Sequence, residues 1–401
     1  MACRTAPAPL PSSAPPALTE APRALYVHWP FCVAKCPYCD FNSHVRASID
    51  EDRWRTALLA ELDHWADSLD PKPLGSIFFG GGTPSLMAPA TAAAVITRAA
   101  DKFGLERDVE ITLEANPSSA EAKKFHALAS AGVNRLSLGL QALDDDALAA
   151  LGRPHDARAG LAALDAAQAA VPRVSIDLIY ARPGQSLDDW RAELGRALDF
   201  GTEHLSLYQL TVEPGTAFAT LHARGDLVLP NEDLAADLFA LTQEMTSAAG
   251  RPAYEISNHA QGGAESRHNL VYWRGGAYLG IGPGAHGRLL DGQGWQASQA
   301  ERLPERWLKA VEARGHGTAA LQAIAPSTRA REMLLMGLRL TEGVDLGLIA
   351  RASNAPLDAV IDAAAVDELR RLGLIAKSGA RLALTRAGRP VLNAVLARLL
   401  N

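Results

Sequence analysis

Cysteine is scarce in this sequence, with four residues in 401. Long apolar runs are missing as well, and no stretch approaches the roughly 20 apolar residues needed to span a bilayer. The opening, MACRTAPAPLPSSAPPALTEAP, is rich in Pro, Ala and Ser and lacks the unbroken apolar core of a signal peptide. Residues 1–22 are expected to form a disordered tail. These absences argue against secretion and place the thiols in a reducing cytoplasm. There a tight group of cysteines serves metal binding or catalysis rather than disulfides. A surplus of positive charge is also lacking: the formal net charge of −6 gives no global attraction to nucleic acid or acidic membranes. What is present, 48% hydrophobic and 21% charged residues, suits a globular protein with a large core and about two or three domains.

Short β-rich runs alternate with amphipathic helical patterns after the tail. The strand-like runs are ALYVHW from Ala24, SIFFG from Ser76, EITLEA from Glu110, RLSLGL from Arg135, RVSIDLIY from Arg173 and HLSLYQL from His204. EDRWRTALLAELDHWADSL and SAEAKKFHALASAG, lying between them, read as helices. The alternation predicts a parallel sheet with helical crossovers, and about six units point to an α/β partial parallel barrel of (βα)6 type over residues 23–215. The spacing is too irregular for a solenoid. An α+β extension is expected over residues 216–325, beginning with the helix NEDLAADLFALTQEMTSAAG. A small helical, winged-helix-like domain is expected over 326–401, where a helix precedes GLIA, a Ser-Gly-Ala turn and RLALT. That last segment carries 11 Lys and Arg against 7 Asp and Glu, without a tight basic stripe. A packing or lid role is expected of it rather than DNA binding.

The scarce cysteines are concentrated. HWPFCVAKCPYCDFNSH places Cys32, Cys36 and Cys39 within eight residues, directly after the first strand, while Cys3 stands apart. Three thiolates at this spacing can converge on a metal centre. Structural zinc takes four protein ligands, and the fourth would have to be His28, Asp40 or His44. An iron–sulfur cube also takes four cysteines as a rule. With three, one iron keeps an open position for a small molecule. In a parallel barrel, functional residues gather at the C-terminal ends of strands. Here those ends carry FGGGTP at Gly80–Pro84, Glu114 in LEANP, Gln141 in GLQAL and Asp177 in SIDLIY.

CVAKCPYC after LYVHWPF resembles the radical S-adenosylmethionine superfamily. The resemblance implies that Cys32, Cys36 and Cys39 hold a [4Fe-4S] cluster whose fourth iron is chelated by S-adenosylmethionine, which accounts for the missing fourth cysteine. The other stretches resemble, segment by segment, the branch that contains the oxygen-independent coproporphyrinogen III oxidase. That resemblance covers nearly all of the chain after Ala24. It implies cofactor contacts from Tyr26, Tyr38, Gly81, Gly82, Thr83, Glu114, Gln141, Arg153 and Asp177. YARPGQ, Tyr180 to Gln185, departs from the Gly-Leu that relatives show before the proline, and Arg182 has no account at this level.

Two functions lie within this branch. One is an enzyme that decarboxylates a porphyrinogen by radical chemistry; the other is a heme chaperone. The oxidase carries a further cysteine two residues after its third, where this chain has Phe41. HNLVYW, His268 to Trp273, is similar to a heme-binding motif of the chaperones, which implies heme contacts from His268, Asn269, Tyr272 and Trp273. A neutral imidazole can ligate heme iron, and on a helix Tyr272 would share a face with His268. The bland alternative is an amphipathic turn with aromatics in the core. His286, in GIGPGAHG, is a second candidate ligand. The expectation is therefore a cytoplasmic protein carrying a [4Fe-4S] cluster and S-adenosylmethionine that binds heme and delivers it to an acceptor protein. No catalytic residue is assigned, and a cluster-dependent homodimer would fit the family.

Overall fold

Period-two alternation with apolar residues at every second position is what organises the first two hundred residues. In the computed structural model, which describes residues 23–292, 294–354 and 356–400, each of the six expected runs is a strand. They are β1 (Ala24–Trp29), β2 (Leu74–Gly81), β3 (Leu105–Ala115), β4 (Arg135–Gln141), β5 (Arg173–Tyr180) and β6 (His204–Gln209). The tail expected over residues 1–22, with Cys3, lies outside the described residues. The six strands pair in parallel in chain order. β7 (Asn258–Ala260) runs antiparallel to β6, and β8 (Leu279–Ile281) runs parallel to β1. The sheet order is β8-β1-β2-β3-β4-β5-β6-β7. No pairing joins β7 to β8 among the described residues, so the sheet curls without closing.

The two faces of this sheet differ in chemistry. Leu25, Val27, Ile77, Phe79, Leu113, Leu136, Leu138, Ile176 and Leu205 belong to the main core with residues of the surrounding helices. Those helices include α1 (Glu51–Ser68), α2 (Pro89–Phe103), α3 (Ala157–Ala170) and α4 (Leu187–Asp199). The opposite parity supplies Tyr26, His28, Ser76, Thr112, Glu114, Arg135, Ser137, Ser175, Asp177 and His204. A helix-flanked parallel strand usually reads as a near-continuous apolar run; here the inward face is polar, with Glu114, Ser137 and Asp177 lining a cavity and others, such as Ser76 and Ser175, bonded to His268 and His204 within the barrel.

SAEAKKFHALASAG does not form the single expected helix. It breaks into Ser119–Ala122 and Phe125–Ser130. Glu121 is drawn back to Ser85 and the Asn116 N–H, while Lys124 Nζ reaches the Leu86 carbonyl at 3.0 Å. Arg182 also gains an account. Its guanidinium forms a buried two-point pair with Glu193 of α4, at 2.6 and 3.2 Å, and donates to the Ile179 carbonyl at 3.0 Å. Glu193 accepts the Leu143 N–H at 2.7 Å as well, so the departure from Gly-Leu ties the loop after β5 to the loop after β4.

The extension is not a separate core. α5 (Glu232–Ala248), the short α6 (Arg267–Trp273) and α7 (Pro304–Arg314) flank the barrel. Leu238, Leu241, Leu279, Trp307 and Val311 all join the main core. A three-stranded antiparallel sheet, β9 (His286–Asp291), β10 (Gly294–Ala300) and β11 (Thr318–Ala323), completes it. The last segment builds a second core around Leu334, Ile349, Leu369, Leu382 and Leu396. There α8 (Pro326–Gly337) and three further helices surround a hairpin of Ile375–Ser378 and Arg381–Leu384, the winged-helix-like pattern read from the sequence.

Candidate functional site

The cysteine loop leaves the C-terminal end of β1. Phe31–Cys32 pairs with His44–Val45, which pinches the loop at its base, and the Cys39 N–H closes a turn on the Cys36 carbonyl at 3.2 Å. Between these ties the three thiols are free and half-buried. Thr83 Oγ1 donates to Cys32 Sγ at 3.4 Å, and an Arg153 N–H donates to Cys36 Sγ at 3.2 Å. The thiols open on a cavity of about 1180 Å³ at the C-terminal mouth of the barrel. Of the residues singled out in the sequence, Cys32, Cys36, Cys39, Tyr38, Gly82, Thr83, Glu114, Gln141, Arg153 and Asp177 line it.

Tyr26 and Gly81 do not line the cavity. Tyr26 lies deeper in the barrel, where its hydroxyl meets His28 Nδ1 at 3.0 Å. Gly81 donates its N–H to Glu114 Oε2 at 3.2 Å. Its φ of +117° and the His28 ring 2.7 Å from where a Cβ would sit both require glycine. Gly82 passes so close to the loop that a Cβ would come within 2.7 Å of the Phe31 carbonyl. Gln141 takes a left-handed φ of 68° at a register shift in β4, and the absent side chain of Gly139 leaves room for its amide. Asn116 was not singled out in the sequence. It accepts from Arg153 at 2.5 Å and donates to Thr83 Oγ1 at 2.9 Å, and so joins the cluster side of the cavity to the strand ends. Its signal was present in LEANP, two residues after Glu114.

The donor set bears on the question that the spacing left open. Tetrahedral zinc with Zn–S near 2.3 Å would hold its sulfurs about 3.8 Å apart. Among the described residues no three His, Cys, Asp or Glu side chains converge tightly enough for one metal ion. His28 and His44 are both engaged with Asn42 instead. A cube asks for less convergence, because each sulfur meets its own iron. Arg153 Nε is buried without a partner, a donor suited to an anionic group in this cavity.

Two carboxylates face each other across the cavity floor. Burial, and then the charge of Asp177, push the Glu114 carboxyl up to about 8, against the Gly81 N–H. Burial also raises Asp177, while Ser206, Arg135 and Ser137 hold it down. Below its ordinary value of 4.5 Glu114 is neutral in both folded and unfolded chains, and its burial is not opposed. As pH rises through about 8 the folded chain must ionise it, so stability present at low pH is lost. Chemical denaturation from pH 5 to pH 9 is expected to show a fall of a few kcal/mol that Glu114→Gln flattens. An unchanged slope in the variant would assign the fall elsewhere.

HNLVYW lies on α6, at the other end of the barrel. None of its residues lines the cofactor cavity. His268 is 1% exposed. Its Nδ1 meets Ser76 Oγ at 3.0 Å, its Nε2 meets the Tyr272 hydroxyl at 2.6 Å, and its ring stacks on Phe78. Burial, and then Arg135, lower its pKa to about 3, so the imidazole is neutral. The helical spacing does bring His268 and Tyr272 together, but onto each other rather than towards an open face. Asn269 bonds Tyr254. Trp273 turns to the last segment, under the Arg339 guanidinium at 4.7 Å, beside a groove lined by Met333, Leu340 and Val344. His286 is exposed at the start of β9. No helix among the described residues is long and apolar enough to cross a membrane.

Residues 26–196 match the family model of the radical SAM superfamily, and residues 324–391 match that of the HemN C-terminal domain. The heme chaperone HemW of Mycobacterium tuberculosis (strain ATCC 25618 / H37Rv) is 37% identical over 404 residues, covering 100% of both chains. The mitochondrial radical S-adenosyl methionine domain-containing protein 1 of Mus musculus is 43% identical over 326 residues, 80% of this chain and 74% of that one. Among solved structures, coproporphyrinogen III oxidase (HemN) from Escherichia coli superposes with a TM-score of 0.78. It is 22% identical and covers 94% of this chain and 90% of that one, which is a likeness of fold. The end-to-end match at 37% identity decides the family: this chain belongs to the HemW family of the radical SAM superfamily.

Proposed function

We propose that this protein binds heme and delivers it to an acceptor protein in the cytoplasm, with the cavity at the barrel mouth holding a [4Fe-4S] cluster and S-adenosylmethionine. The observation that carries this reading is the full-length match to heme chaperone HemW. Phe41 supports it: at the place where the oxidase has a further cysteine, this chain sets a 58% exposed aromatic ring at the cavity edge. Cys32, Cys36 and Cys39 would hold the cluster. Arg153 would meet the cofactor carboxylate, Gly82 and Thr83 its methionine part, and Glu114, Gln141 and Asp177 its polar groups. When bound, the pair supplies reductive chemistry at the open iron, which the chaperone reading does not require to turn over. A homodimer is part of the same proposal.

The heme contact is proposed at His268, Asn269, Tyr272 and Trp273, on condition that the buried face of His268 opens. His268 Nε2 is held by the Tyr272 hydroxyl, so iron can reach it only after that bond opens. Tyr272→Phe removes the competitor and is expected to bind heme at least as tightly as the wild type, and faster. His268→Ala is expected to bind at least 10–100-fold more weakly with a shifted visible spectrum, since even losing an outer partner at a metal site costs about that much. Anaerobically reconstituted protein should be assayed for heme binding, for heme passage to a heme-free globin, and for decarboxylation of coproporphyrinogen III. Appreciable decarboxylation without heme binding would replace this reading with the oxidase. An unchanged spectrum in His268→Ala would move the ligand to another residue, with His286 first.

A further inference from the structure

Asn42 stands three residues after the last cysteine, and every hydrogen-bonding group of its amide is used. Nδ2 donates to two carbonyls of the extension, Pro283 O and Arg302 O, each at 2.9 Å. Oδ1 accepts from His44 Nε2 at 3.2 Å, and the backbone carbonyl accepts from His28 Nε2 at 2.9 Å. Two facing carbonyls accept only, so they fix which end of the amide is nitrogen. The same logic makes His28 Nε2 a donor to the Asn42 carbonyl and leaves its Nδ1 to accept from Tyr26. The turn that presents Pro283 is shaped for this contact. Gly284 has φ +78°, and a Cβ there would come within 2.5 Å of Asn42 Nδ2.

The far side of that turn is tied down as well. Buried Glu61 of α1 accepts the Gly282 N–H at 2.8 Å, the Gly317 N–H at 2.7 Å and Trp307 Nε1 at 3.0 Å. Trp307 of α7 stacks on Trp54 of α1 at 5.3 Å, and Arg46, just past the loop, pairs with Glu305 of α7. The thiols themselves have few ties of their own. The residues between Cys32 and Asn42 include exposed Val33, Ala34, Lys35, Asp40 and Phe41.

We infer that Asn42 is the positioning residue of the cluster loop: it clamps the cysteine segment to the 282–284 turn and so makes the extension a brace for the cluster. The inference rests on the cluster reading of the three cysteines. A ligand loop that must hold three sulfurs on three separate irons needs its base fixed by outer partners, whose loss typically costs 10–100-fold in metal affinity. Asn42→Asp is the sharp test, because it turns a donor into a carboxylate facing two carbonyls. Asn42→Ser keeps one donor and should fall between.

In the cluster-free full-length chain, hydrogen exchange across residues 33–45 should rise at least 10-fold in Asn42→Asp, with the midpoint of thermal unfolding little changed. After reconstitution, iron loss to a chelator should be roughly 10–100-fold faster, and the paramagnetic resonance lines of the reduced cluster should broaden or shift. Exchange and iron loss at wild-type rates would overturn the clamp. Faster exchange with an equally stable cluster would overturn its role in holding iron. A drop in thermal midpoint with protection lost throughout the chain would make Asn42 a general structural residue. If the wild type takes up no cluster while Asn42→Asp still loosens the loop, the cluster reading fails and the clamp survives.

Discussion

Cys36→Ala is expected to abolish the cluster outright, and Cys32→Ala and Cys39→Ala are expected to do the same. Each sulfur would serve one iron, and the nearby His28, His44 and Thr83 are already engaged. His28 and His44 are committed to Asn42, and Thr83 is already a donor to Cys32. At Cys36 a second loss follows, because one Arg153 N–H loses its sulfur acceptor, while Asn116 and the Gly139 carbonyl keep the guanidinium in place. Iron per chain after anaerobic reconstitution should fall from about four to below one. Cys3→Ala should leave it unchanged. In the wild type, adding S-adenosylmethionine should perturb the resonance spectrum of the reduced cluster, as an open iron requires. Stoichiometric zinc in the native protein, with no iron retained under anaerobic purification, would defeat this account.

The largest effect on stability is expected from Arg182→Ala. The Arg182–Glu193 pair is buried, with both side chains about one-tenth exposed or less. Removing one partner of such a pair costs roughly 3–5 kcal/mol, because the other charge stays behind. Glu193 would keep the Gln185 amide at 3.3 Å and the Leu143 N–H at 2.7 Å, so the lower end of that range applies. Denaturant unfolding measures it. Pairing Arg182→Met with Glu193→Gln should recover much of the loss, since an apolar or neutral pair removes the stranded charge. A single-variant loss below about 1 kcal/mol would show that the pair is worth no more than an exposed one.

Much of this architecture is legible in the residue pattern, for physical reasons. Runs such as RVSIDLIY alternate in period two over most of their length, and their β-branched residues favour a strand. That Gly82, Glu114 and Gln141 share one opening was legible because they lie at or next to the C-terminal ends of parallel strands, whereas Asp177 reaches the same cavity from the middle of β5. SAEAKKFHALASAG was misread as one helix. Its helix-forming residues are genuine, but Glu121 and Lys124 find better partners across the fold than within a continuous helix. The environment of HNLVYW was not legible either. Spacing gives the shared face of His268 and Tyr272, but not that Ser76 and Phe78, nearly two hundred residues earlier, close that face. Arg182 was opaque for the same reason, since its partner Glu193 is set by the packing of α4.

The place of β1 in the sheet bears on the order in which the molecule can be built. Leu25 pairs with Leu279, so one edge of β1 stays open until about 250 further residues have been made. At about 5–20 residues per second, that is roughly 12–50 s of synthesis. The cysteine loop follows β1 directly, and the carbonyls that clamp it, Pro283 and Arg302, emerge later still. The thiols are therefore made well before the carbonyls that fix their loop. Iron arriving during synthesis meets a loop whose far anchors do not yet exist. If the three cysteines hold a cluster, its assembly is expected to follow folding rather than nucleate it.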